Sequence, residues 1–204
     1  MRRLFNSIER IQITGDLGQL SGLVRDIDRS LQNIANGTER LMEYLSRYSA
    51  TNAGRQFEKM AEAASALGRE LCQASMAINQ MQRDICTYEN KIRRFEGLSE
   101  SAEMPNLYLV SPRRITVDER RTVIDLAEMR FLLQLLVEYS DIVEKYRSEI
   151  CEKRDAISDI WRDPQYLNFS AFIDEVNDTI IKANVKFGNY IEYLRNRIQA
   201  LQEN

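Results

Sequence analysis

From Phe57 onward, an apolar or small side chain recurs at alternating three- and four-residue steps: Phe57, Met60, Ala64, Leu67, Leu71, Ala74, Ile78, Met81, Ile85, Tyr88, Ile92, Phe95. Nothing interrupts the series. A spacing near 3.5 lines one face of an α-helix, whereas a strand would repeat every second residue. A helix this long buries its stripe only against other helices, so this segment sets the fold class.

Three further stripes obey the same rule. One runs Leu20, Val24, Ile27, Leu31, Ile34, Thr38, Leu41, Leu45, Tyr48, with Thr38 the only polar member. Another runs Met129, Leu132, Leu136, Tyr139, Val143, Tyr146, Ile150, Lys153, Ile157, Ile160, with Lys153 out of character. The last runs Phe169, Ile173, Val176, Ile180, Ala183, Phe187, Tyr190, Leu194, Arg197, Leu201. The Arg197 stem can still cover apolar surface there.

The breaks between stripes are short. Turn formers in "SATNAG" (Ser49 to Gly54) separate the first pair, and "RDPQ" separates the second. Asp163 precedes a proline and is biased away from helix, and Pro164 suits a first helical turn. Between the pairs, "EGLSESAEMPNLYLVSPRR" carries Gly97, Pro105 and Pro112, with "NLYLV" expected to lie extended. Thr116 and Glu119 then have the spacing of a capping box. Only 8 Gly and 3 Pro occur in 204 residues, too few for many turns, so long elements are required. The expectation is an all-α protein of two long antiparallel hairpins in tandem, forming an elongated four-helix bundle or a coiled-coil arrangement. Residues 1–97 make the first hairpin, 98–116 a linker and 117–204 the second. Tyr48 and Trp161 each close a first helix, and Phe57 and Phe169 each open a second, as in a degenerate repeat.

Composition removes several function classes. The chain has no histidine, which takes away Ser-His and Cys-His catalysis and histidine metal sites. The net charge of -3 lacks the basic excess of a nucleic-acid binder. No stretch approaches the roughly 18 apolar residues of a membrane span. Cys72, Cys86 and Cys151 are odd in number and unclustered, as in a reduced, cytoplasmic protein. No catalytic residue, cofactor or metal is expected. The carboxylates Asp26, Asp28, Glu149, Glu152, Asp155, Asp174, Glu175 and Asp178 are expected on solvated helix faces, and Cys72 and Cys86 beside a seam.

The segment "SDIWRDPQYLNF" (Ser158 to Phe169) holds the only tryptophan, at the point where a helix must stop. Trp161, Tyr166 and Phe169 are spaced to plug the open end of a hairpin with large apolar area. A helix ending in Trp-x-Asp, followed by a Phe a few residues into an antiparallel helix, resembles the WXG-type helical hairpins linked to type VII secretion. The likeness rests on Trp161, Asp163 and Phe169 and covers about Val117 to Asn204; Asp163 stands where the family often has Gly, and Pro164 follows it. The resemblance implies non-catalytic hairpins that associate side by side and act as secreted substrates or chaperone-like partners. Non-classical export would follow from it, although neither Tyr190 nor Tyr193 supplies the family's Tyr-x-x-x-Asp/Glu signal.

The function expected is that of a binding or scaffold protein, a WXG-like adaptor in a bacterial multiprotein system. Its contacts would be a protein partner or a second copy of itself, met at the end formed by Trp161, Asp163, Pro164, Tyr166 and Phe169. The alternative is an intracellular regulatory or phage-defence component docking on an ATPase or toxin. Arg113, Arg114, Arg120 and Arg121 could gather as a basic contact patch; Arg120 and Arg121 would open a helix, where the dipole disfavours cations.

Overall fold

The computed structural model describes residues 17–52, 55–95, 125–162 and 164–203. Among them are four α-helices and no strand: α1 (Leu17–Asn52), α2 (Arg55–Phe95), α3 (Leu126–Ile160) and α4 (Pro164–Gln202). At 1.5 Å per residue the helices reach about 50–60 Å. The α3 start is explicit: the Asp125 carboxylate accepts from the backbone N–H of Ala127 at 2.8 Å and of Glu128 at 3.2 Å. This satisfies two of the donors a helix N-terminus leaves open. The capping pair Thr116 and Glu119, the "NLYLV" stretch and the four linker arginines lie outside the described residues.

The two hairpins form one bundle with one core. α1 packs on α2 and α3, and α4 packs on α3 and α2; α1 faces α4, and α2 faces α3, only across the diagonals. Cross-helix contacts fix the directions. Ser30 donates to Glu149 at 3.1 Å, and Tyr44 meets the Glu128 carbonyl, so α1 and α3 are antiparallel. Asp28 meets Ser75, and Thr38 and Met42 lie against Gly68, so α1 and α2 are antiparallel too. Arg154 pairs with Asp174, and the Tyr139 ring meets Phe187 at 5.4 Å, giving the same sense to α3 and α4. Every neighbouring pair is therefore antiparallel. The α1–α2 turn and the Trp161 turn lie at opposite ends.

The stripes read from sequence become the core. From Phe57 to Ile85 every stripe residue of α2 is buried. Thr38, the polar member of the α1 stripe, is 1% exposed, and its hydroxyl is shared between the Ile34 carbonyl and the Tyr139 hydroxyl. Lys153 is half-buried and pairs with Asp26 at 3.4 Å. Arg197 is exposed, and Ile198 turns inward in its place. α1 and α3 lie close together at Gly37, where a Cβ would stand 3.1 Å from the Tyr139 ring. Among the described residues, no helix is long and apolar enough to cross a membrane.

One expectation is corrected. Asp28, assigned to a solvated face, is buried at 6% exposure on the α1–α2 face. A bundle helix touches two neighbours, so its buried arc is wider than one stripe. On α2 the second arc runs Ala61, Ser65, Gly68, Cys72, Ser75, Asn79, Gln82, Cys86, again at three- and four-residue steps. Ser75 meets Asp28 from this row, and Gly68 lies against Thr38 and Met42.

Candidate functional site: the Trp161 turn

α3 ends because Trp161 leaves the helical region. Its backbone is extended, at φ -124 and ψ 108, while its N–H still donates to the Ile157 carbonyl at 2.9 Å. α4 restarts at Pro164, whose fixed φ suits a first turn and whose missing N–H would have no helical acceptor there. Asp163 lies outside the described residues. The change of direction throws the indole inward.

The indole is fully buried, at 0% exposure. The Phe169 ring lies tilted against it at 5.8 Å between centroids, and the Tyr166 ring meets it edge-on at 6.1 Å. The Tyr166 hydroxyl reaches back to the Arg154 carbonyl on α3 at 3.4 Å. Arg154 itself pairs with both Asp155 and Asp174, straddling the two helices. Trp161, Tyr166 and Phe169 are thus brought together, and Pro164 stands exposed beside them. Solvent at this end meets Arg162 and Leu167, not the indole; Leu167 is 67% exposed.

The α3–α4 seam continues from this turn as a polar row. Arg147 chelates Glu144 and reaches Asn177 at 3.1 Å, and the Cys151 thiol faces the same Asn177 oxygen at 3.6 Å. The Arg147 hydrogen bond holds the Glu144 carboxyl below its usual range.

The opposite end holds a cluster that the stripes disclosed only in part. Six rings form a chain through all four helices: Phe131 to Tyr44 at 4.9 Å, Tyr44 to Tyr48 at 6.2 Å, Tyr48 to Phe57 at 5.4 Å, Phe57 to Tyr190 at 6.2 Å, and Tyr190 to Tyr193 at 5.7 Å. Of its interior members Tyr48, Phe57 and Tyr190 are buried and Tyr44 is half-buried, and its two ends, Phe131 and Tyr193, are exposed. Burial pushes the Tyr48 hydroxyl up to about 12, against a hydrogen bond with Tyr190 that lowers it. The signal in sequence was the pair Tyr48 and Phe57 on either side of a turn. Tyr44, Phe131 and Tyr193 lie off the stripes and gave none.

No protein-family model, no curated protein and no solved structure matches this chain.

Proposed function

We propose that the protein works by binding another protein, as a helical adaptor or scaffold in a bacterial multiprotein assembly of the kind served by WXG-type hairpins, and carries out no chemistry itself. One observation carries the reading. Of the seven large apolar side chains exposed among the described residues, six lie on the second hairpin: Phe131, Ile142, Leu167, Ile181, Val185 and Tyr193. Met76 alone belongs to the first. Single exposed apolar residues are ordinary, but a bias to one hairpin is what a docking face produces. Ile181 and Val185 stand one turn apart on α4, and Leu167 caps the same helix at the Trp161 end.

In this reading the Trp161 cluster shapes the end of the hairpin from within, and the exposed side chains meet the partner. The double substitution Ile181→Glu/Val185→Glu tests it. Both positions are exposed, so the melt should stay within about 0.5 kcal/mol of wild type per site. Loss of an apolar anchor costs more than about 1 kcal/mol of binding, a several-fold drop in affinity. Recovery of co-purifying protein from the native cell, with light scattering to register self-association, gives the readout. A double variant with wild-type recovery and wild-type mass would refute a docking face on α4.

A further inference from the structure

The α1–α2 face holds a buried polar row that neither the plug nor the docking face uses. Asp28 of α1 is 6% exposed, Ser75 1%, Asn79 0% and Gln82 5%. Ser75, Asn79 and Gln82 follow one another on α2 at the spacing of a single helix face. The Asp28 carboxylate accepts from the Gln32 amide at 2.6 Å and from the Ser75 hydroxyl at 3.4 Å. Asn79 donates to the Ser75 carbonyl at 2.9 Å and to its hydroxyl at 3.3 Å. Among the described residues its own Oδ1, an acceptor, is buried with no hydrogen-bond partner, as is the Gln82 Nε2.

We infer that Asp28 is a proton-operated latch between α1 and α2, closing the buried polar row as the neutral acid and loosening it as the carboxylate. This goes beyond the adaptor reading and does not depend on it. Among the described residues the partners of Asp28 are all neutral. A buried carboxylate without a cation is costly, and the acid form avoids that cost. The acid also brings an O–H into a row that contains an unmatched buried acceptor, Asn79 Oδ1. Burial accordingly pushes the Asp28 carboxyl up from its ordinary value, against the opposing help of Ser75, Gln32 and Gln82. The Gln82 amide favours the anion although its Nε2 falls short of a hydrogen bond.

Among the described residues the surrounding charges do not supply a cation. On α1, Asp26 pairs with Arg29 and with Lys153 of α3, and Arg25 is exposed. On α3, Glu149 takes the Ser30 hydroxyl. On α2, Arg69 and Glu70 are exposed, and Cys72 and Arg83 are half-buried. None of these charges contributes to the shift of Asp28. α4 lies across the diagonal from α1.

The sign follows from linkage. A carboxyl with a raised pKa in the folded state adds stability that is complete below the ordinary Asp value and is lost as pH rises through the raised one. Most carboxylates act in the opposite sense, so the informative quantity is the difference between wild type and Asp28→Asn, a neutral side chain of the same shape. Thermal melts from pH 4 to pH 8 should show Asp28→Asn gaining on wild type in melting temperature as pH rises. Hydrogen exchange, with variant and wild type compared at the same pH, should show stronger protection of residues 71–82 in the variant at pH 7, and equal protection at pH 4. A pH-independent difference in melting, or equal protection at both pH values, would overturn the latch. Carbon NMR of the Asp28 carboxyl in the wild-type chain needs no variant to fold. A midpoint above the ordinary Asp range supports the proposal, and a midpoint at or below it ends the proposal.

Discussion

Replacing Trp161 with Ala removes the largest fully buried side chain of the described residues. The indole has 0% exposure, so its whole surface returns to water on unfolding. Phe169 at 5.8 Å and Tyr166 at 6.1 Å would be left facing a void. A truncation of this size costs about 3–5 kcal/mol, because the neighbours relax only partly into the space. The edge-on contact with Tyr166 adds its share, about 0.5–1.5 kcal/mol within that total. For a chain of this length, each kcal/mol shifts the midpoint by about 2–4 °C, so Trp161→Ala should melt about 6–20 °C lower. Trp161→Phe should fall between the two, since it keeps a ring against Phe169. Helical circular dichroism followed through a thermal ramp measures both, and pull-down of the partner below the lowered midpoint separates stability from binding. A Trp161→Ala chain that melts like wild type would refute the plug, and with it the account of why the tryptophan stands where α3 stops.

Other substitutions probe the packing of the four helices. Ile78→Asp puts a carboxylate without a partner at a position 1% exposed in mid-α2; it should cost several kcal/mol of a stability of about 5–15, and circular dichroism should show gross unfolding. Gly188→Ala should raise the melt, since a Cβ there meets nothing within 4 Å and glycine costs a helix interior about 1 kcal/mol; Gly37→Ala should lower it, since its Cβ would press at 3.1 Å on a Tyr139 ring whose hydroxyl is held by Thr38. Thr38→Val strands the buried Tyr139 hydroxyl and should cost about 1–3 kcal/mol in denaturant titrations, whereas Tyr139→Phe added to it should recover part of the loss; full additivity of the two would contradict the pairing.

The architecture was legible because the bundle core needs little more than stripes of the right period. Phe57, Leu67, Ile78 and Ile85 fall inside as the spacing requires. Which helix each stripe faces was not legible. A seam serves equally within a hairpin, between hairpins or between chains, and the square packing was settled only by contacts such as Thr38 with Tyr139. The polar row was missed for a related reason. Asn79 and Gln82 look like surface residues one at a time, and only the two-sided burial of a corner helix makes their spacing informative. Asp28 was misplaced because a carboxylate without a nearby cation has no sequence mark that distinguishes it from Asp26, which does reach its cations. The Trp161, Tyr166 and Phe169 cluster was readable, since one proline fixes the turn and the aromatics flank it closely. That the indole would be sealed from solvent depended on packing against Phe169 and Tyr166 that no local pattern prescribes.

The layer joining Thr38 to Tyr139 connects residues 101 positions apart. Contacts within each hairpin close across a short turn, whereas the α1–α3 face demands the closure of a much longer loop. We expect assembly to proceed from the two hairpins to the non-local junction, with the junction forming late, which refolding kinetics of Thr38 and Gly37 variants would test. Changes at Thr38 or Gly37 would then appear mostly as faster unfolding, with refolding rates nearly preserved. On that expectation, the lifetime of the native state follows the α1–α3 and α2–α4 faces that join the hairpins more than the seams inside each one.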